Sequence, residues 1–272
     1  MNMARLIFLG VGGGRYVTLS QLIGTCGWIL EMDGEMIYID PGPGSLVRAK
    51  QHGFDLKKLT GVVVSHRHPD HYTDVEVVIE AMTYGAKKRK GFLISTPAVI
   101  HGDEKEPQKV SNYHLSVVER YKSMKPGDTF EWNSLRITST PTKHRDEDGL
   151  GFVFEGSRKI GYTGDGEYYS GQEKYFQGCD CLVLNCLRPR EDTWPGHMNA
   201  GQAEDLIRKA KPKLAILQHF GMKMLFGKAE REAKEIEENT GIRTIAAKDG
   251  MVLNLDEVIG SKEKSGLERF LK

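Results

Sequence analysis

The run Val62-Val63-Val64-Ser65 leads without a break into His66-Arg67-His68-Pro69-Asp70-His71. An uninterrupted apolar run of this length reads as a strand covered on both faces, so the chain needs layers above and below a sheet. Three imidazoles and a carboxylate at the end of that strand can converge on a point above the sheet. Neutral imidazole and carboxylate are donors that suit zinc, iron or manganese. A solvated loop has no use for such a density of ligand-type side chains.

The flanking sequence supplies the sheet. Residues 5–10 are apolar and β-prone, and strands over 27–32 and 36–40 flank the hairpin turn Asp33-Gly34. Pro41-Gly42-Pro43-Gly44 then breaks the chain. A helical pattern covers 74–84, a strand 92–96, and 97–125 reads as irregular and polar. Further strands are expected at 130–132, 135–139, 152–154, 159–162, 181–184, 214–217, 242–245 and 251–255. Helices are expected at 200–211 and 223–239. About twelve strands and four or five helices in this order fit two mixed sheets packed face to face with helices outside, an α/β sandwich. One domain is expected over 1–259, with 260–272 a charged tail, exposed or a frayed helix.

Composition narrows the function. The 272 residues carry 38 Lys and Arg against 37 Asp and Glu, a net charge of +1. That balance argues against a nucleic-acid coat or a polybasic membrane binder. No apolar run approaches the ~18 residues of a membrane span. The start of the chain reads as a strand entering a glycine turn rather than a signal peptide. Of four cysteines, Cys179, Cys181 and Cys186 cluster and Cys26 stands apart, with no second pair at zinc-knuckle spacing. A reduced, cytoplasmic protein is expected.

His66-x-His68-x-Asp70-His71 after a hydrophobic strand resembles the signature of the metallo-β-lactamase fold superfamily, and the resemblance runs from about residue 5 to residue 255. It implies a four-layer αβ/βα sandwich in which Asp40 supports the ligand loop from behind. It also implies ligands at His144 in Pro141-Thr142-Lys143-His144, Asp165 in Tyr162-Thr163-Gly164-Asp165-Gly166, and His219 in Ala215-Ile216-Leu217-Gln218-His219. The implied centre is binuclear: His66, His68 and His144 on one divalent ion, Asp70, His71 and His219 on the other, Asp165 between them. Zinc is the expected ion, with manganese or iron as alternatives. Two such ions lower the pKa of a bound water from 15.7 towards about 7, so the resemblance implies a hydrolase that uses bound hydroxide oriented by Asp70. No Gly-x-Ser-x-Gly elbow offers a serine route.

His197, in Gly196-His197-Met198-Asn199-Ala200, lies 22 positions before His219. It resembles the extra histidine of the phosphodiesterase branch, which includes ribonuclease Z and the cyclic-phosphate phosphodiesterases. There it faces the phosphate and can protonate the leaving oxygen. Ribonuclease Z fits less well. Its tRNA-gripping arm has no room in the 21 positions from His144 to Asp165, and Asn185-Cys186-Leu187-Arg188 stands where it has His-Glu-Ala-Thr. The Glu that partners this histidine in the family is therefore missing.

The expected activity is a phosphodiesterase on a small anionic phosphate ester or nucleotide, with Asp70 and His197 as catalytic groups. Ester, lactone or thioester hydrolysis is the alternative on the same site, followed by an RNase Z-like activity. A non-catalytic metal or nucleic-acid binder fits the full ligand set least. Nucleic acid is a disfavoured partner, no membrane is expected, and a homo-oligomer stays open. Residues 10–15, rich in glycine, could offer N–H groups to a phosphate. Arg188 and Arg190 are candidate anion contacts. Lys87-Lys88-Arg89-Lys90, His52, His101, His114 and the cysteine cluster read as surface or packing residues.

Overall fold

A computed structural model describes residues 4–146 and 148–260 of the chain. The first sheet takes β1 (Arg5–Gly10), β2 (Gly27–Met32), β3 (Glu35–Ile39), β4 (Gly61–Val63), β5 (Phe92–Ser95) and β6 (Arg120–Ser123). The second takes β7 (Thr129–Trp132), β8 (Leu135–Pro141), β9 (Leu150–Glu155), β10 (Lys159–Tyr162), β11 (Cys181–Asn185), β12 (Leu214–Gln218) and β13 (Thr244–Ala246). β14 (Met251–Asn254) returns to the first sheet, antiparallel to β1. The spatial orders are β14-β1-β2-β3-β4-β5-β6 and β13-β12-β11-β10-β9-β8-β7, so each sheet has seven strands.

Alternation along the strands explains the layers. Leu6, Phe8, Trp28, Leu30, Ile37, Ile39 and Val63 point to a core shared with the second sheet. Their neighbours Ile7, Ile29, Tyr38, Val62 and Val64 point the other way, under helices Ser45–Gln51 and Val75–Met82. The valine run is thus buried on both faces, as a strand held between two parallel neighbours requires. Helices Ala200–Ala210 and Lys228–Thr240 cover the second sheet with Leu206, Ile207 and Ile236. The result is the expected four-layer sandwich. Among the described residues no helix is long and apolar enough to cross a membrane.

Four regions depart from expectation. Residues 97–125 are not irregular: they hold short helices Pro97–Ile100 and Asn112–Val117 and then β6. β6 is an edge strand, Arg-Tyr-Lys-Ser, and an edge needs no apolar face on its open side. The helix expected from residue 223 begins at Lys228, because Phe226 and Gly227 both have left-handed backbone (φ 55° and 82°) that no helix accepts. Helices Arg15–Ser20 and Ser45–Gln51 were unforeseen; each follows a glycine with positive φ (77° and 87°) instead of a side-chain cap. The tail expected at 260–272 lies outside the described residues beyond Gly260.

Candidate metal centre

The chemistry-bearing residues gather where the C-terminal ends of β3, β4, β10, β11 and β12 meet. β3 ends at Asp40, whose backbone is left-handed (φ 53°), a conformation Asp tolerates better than most residues. This turns its carboxylate under β4, where Oδ1 accepts Ser65 N–H (2.6 Å) and Oδ2 accepts Ser65 Oγ–H (2.8 Å). After Ser65 the chain enters a helical turn, Pro69–Tyr72, with His68 at its cap and Pro69 in the first position. That turn swings Asp70 and His71 back beside His66.

The outer partner of each imidazole decides which nitrogen faces inward. His71 Nδ1–H donates to Asp40 Oδ2 (2.9 Å), which turns Nε2 inward, 3.1 Å from His219 Nε2. His66 Nδ1 sits 3.0 Å from Ser65 Oγ, whose own proton goes to Asp40, so Nδ1 is the donor and Nε2 is bare. That Nε2 is buried without a hydrogen-bond partner, 3.9 Å from Asp165 Oδ2. His144 Nδ1–H donates to the Gly196 carbonyl (2.6 Å), which leaves Nε2 facing His68 Nδ1 at 3.2 Å. Asp165 lies between the groups, with Oδ2 3.5 Å from His71 Nε2 and Oδ1 3.4 Å from His219 Nε2.

All seven expected ligands are therefore brought together. His66, His68, His144 and Asp165 form one candidate group, and Asp70, His71 and His219 a second, with donor atoms within 4.8 Å of one another in each. Asp40 is behind His71 as expected. His197 joins a third grouping with Asp165 and His219: its Nδ1 is 3.4 Å from Asp165 Oδ2, and its ring packs on His144 and His219.

The electrostatics call for a cation. Burial, with His71 alongside, pushes His66 well below the usual imidazole range, and burial with His144 lowers His68. Burial also pushes His71 down, but Asp165, Asp40 and Asp70 outweigh it and raise it well above that range. Burial likewise opposes ionisation of Asp165, yet His219 and His71 hold its carboxyl well below normal. Three close carboxylates, ring nitrogens paired at hydrogen-bond distance and an orphaned His66 Nε2 have the donor chemistry of a divalent-metal site. The residues fit the group.

Some expectations fail. The glycine loop reaches the site, but three of its N–H groups are spent. Gly12 donates to Gly24 O, Gly13 to Phe220 O and Gly14 to Asp70 Oδ2 (2.8 Å), so these three glycine N–H groups are not free for a phosphate. The loop positions Asp70 instead, and a side chain at Gly13 would run into the His219 ring. Arg190 is held by Glu204 (2.7 Å) and Glu235 (3.0 Å), and Arg188 by Asp192 (3.0 Å), so both are structural. The cysteines are unpaired and buried, and burial pushes the Cys179 thiol up to about 12. Sequence reasoning passed over Tyr162 and Asn185, although Tyr162 opens the quoted Asp165 motif. Asn185 Nδ2 donates to Asp165 Oδ1 at 2.6 Å.

A family model described as a beta-lactamase superfamily domain matches residues 35–220, which include every residue of the cluster from Asp40 to His219. An uncharacterized protein of Methanocaldococcus jannaschii is 36% identical over 92% of this chain and 94% of its own length. The ribonuclease Z of Sulfolobus acidocaldarius is 24% identical over 88% of this chain and 95% of its own. The crystal structure of the metallo-beta-lactamase fold protein YhfI from Bacillus subtilis superposes with a TM-score of 0.77 at 21% identity, covering 93% of this chain and 99% of that one. The chain belongs to the β-lactamase superfamily, as one of its metallo-β-lactamase fold hydrolases.

Proposed function

We propose that the protein is a metal-dependent phosphodiesterase acting on small phosphate esters, nucleotides included. The observation that carries this reading is His197: a further imidazole packed on His144 and His219, beyond the seven donors of the two groups. A thioester expels a weakly basic thiolate that needs little help from an acid, whereas a phosphodiester expelling an alkoxide needs a proton at the leaving oxygen.

In this reading His66, His68 and His144 hold one divalent ion, and Asp70, His71 and His219 the other, with Asp165 between them. Zinc suits these donors, as do manganese and iron. Bound there, such ions would acidify water and draw charge from the substrate oxygen. Asp70, fixed through Oδ2 by Gly14 N–H, would orient the attacking hydroxide, the water's proton having left to solvent. The new P–O bond forms as the ester P–O bond breaks, and His197 gives hydrogen-bond support, then a proton, to the departing oxygen. Burial, with His219 and His144 nearby, pulls the His197 pKa down to about 4. An anionic substrate supplies the opposite influence.

An RNase Z-like activity is the second reading, favoured by the 24% identical relative. The alignment to it runs over 295 positions against 272 residues here, so the ribonuclease carries inserted segments. Between His144 and Asp165 this chain has the β9–β10 hairpin. The four unpaired cysteines suit a reducing, cytoplasmic setting. Turnover of a chromogenic phosphodiester against a chromogenic lactone and a thioester tests the assignment. Hydrolysis of only the lactone or thioester overturns it.

A further inference from the structure

A buried chain of side-chain hydrogen bonds runs behind the cluster from one sheet to the other. It starts on β12, where Gln218 Nε2 donates to Asn185 Oδ1 (2.9 Å). That bond turns the Asn185 amide so that its NH2 faces the cluster. Nδ2 donates to Asp165 Oδ1 (2.6 Å) and to Tyr162 Oη (3.1 Å). Since Tyr162 Oη accepts there, its own proton goes across the sheet interface to Asp40 Oδ2 (2.5 Å). The same Asp40 oxygen takes the His71 proton. Gln218, Asn185, Tyr162 and Asp40 are all nearly fully buried.

Every bond in this chain points the same way, from Gln218 to Asp40, and polarised chains of this kind strengthen one another. The chain sets two things at the cluster. Asn185 pins one oxygen of Asp165, which fixes how its other oxygen faces His71. Tyr162 gives its proton to Asp40 Oδ2, the oxygen that also accepts His71 Nδ1–H, and so helps hold the His71 ring with Nε2 turned to the cluster. His144 is held from outside, by the Gly196 carbonyl, and His66 is reached only through Ser65. The support is therefore lopsided.

We propose that Tyr162 is a positioning residue that determines the affinity of one half of the centre, the Asp70–His71–His219 half, and so its two-ion occupancy, while Asn185 positions Asp165, which both halves share. This rests on the metal-binding assignment made above. Partners behind metal ligands commonly contribute 10–100-fold in affinity. The Tyr162 ring packs edge-on against Trp28 at 5.7 Å, and Tyr162→Phe keeps that contact while removing only the hydroxyl.

The experiment titrates metal-free parent, Tyr162→Phe and Asn185→Leu with cobalt(II), reading the visible absorption bands and the bound ions against a competing chelator. Circular dichroism checks the fold of each. The parent is expected to take two ions per chain. Tyr162→Phe is expected to hold the first with its constant within about threefold and to bind the second roughly 10–100-fold more weakly, with the bands of that ion altered, whereas Asn185→Leu is expected to weaken both. Unchanged constants and bands in folded Tyr162→Phe overturn the proposal, as does equal weakening of both ions in that variant. A parent that saturates below two ions overturns it too. A parent that binds two ions yet cleaves no phosphodiester removes the proposed activity and leaves this inference standing.

Discussion

His144 Nδ1 lies 2.6 Å from the carbonyl oxygen of Gly196, so the residue that precedes His197 sets the tautomer of a candidate ligand. The same glycine donates its N–H to Glu167 Oε1 (2.6 Å), and Glu167 Oε2 takes Lys143, the neighbour of His144 (2.9 Å). The loop that presents His197 and the strand end that presents His144 are one hydrogen-bonded unit. A backbone carbonyl serves this purpose, so side-chain replacement of His197 leaves it in place.

That separation makes His197→Ala informative. The variant is expected to keep two ions and to lose roughly 10²–10⁴ in kcat on an alkyl or nucleoside phosphodiester. The loss is expected to shrink on a nitrophenyl ester, whose leaving group needs no proton. Parent-level turnover of the alkyl ester with full metal content would show that His197 is structural.

Gly13→Ala probes the opposite wall. Its added Cβ would meet the His219 ring. Overpacking of this kind costs about 1–3 kcal/mol. Elemental analysis is expected to show ion content falling from two towards one. A variant with two ions and an unchanged melting temperature would mean that the loop gives way freely.

Metal removal is expected to destabilise the folded protein. An ion that binds only the folded state adds about 2.7 kcal/mol at a free concentration a hundred times its Kd. Calorimetry of chelated protein with and without added zinc is expected to show a raised Tm, in two steps for two sites. A Tm indifferent to zinc, manganese and iron would remove the metal assignment.

Substrate size supplies the fourth test. With only the β9–β10 hairpin between His144 and Asp165, kcat/KM is expected to be higher on a dinucleotide or a methyl nucleoside phosphate than on precursor tRNA. Accurate and faster tRNA 3′ processing would reverse the order of the two readings.

Much of this was legible from residue pattern. Val62 and Val64 face one core and Val63 the other, which is what an unbroken valine run announces. The cluster residues were legible because ligand chemistry restricts them to His and Asp at strand ends. Other features carried no local signal. β6 is polar because it is an edge, and the helix at Arg15 starts from a glycine conformation rather than a capping side chain. The glycine loop looked like a phosphate cradle, but its N–H groups find partners 12, 207 and 56 residues away in sequence, at Gly24, Phe220 and Asp70. Tyr162 and Asn185 likewise owe their setting to contacts between strands and between sheets, which no short motif encodes.

The placement of β14 beside β1 has a consequence in time. On a ribosome, β1 emerges early and has one open edge until residues 251–254 have been made. Asp249, just before that strand, holds the glycine segment through Val11 N (3.0 Å) and Gly24 N (2.6 Å). The wall against His219 is thus braced by a residue made long after it. Until that segment is made, β1 has an unpaired edge and the wall beside His219 lacks its brace.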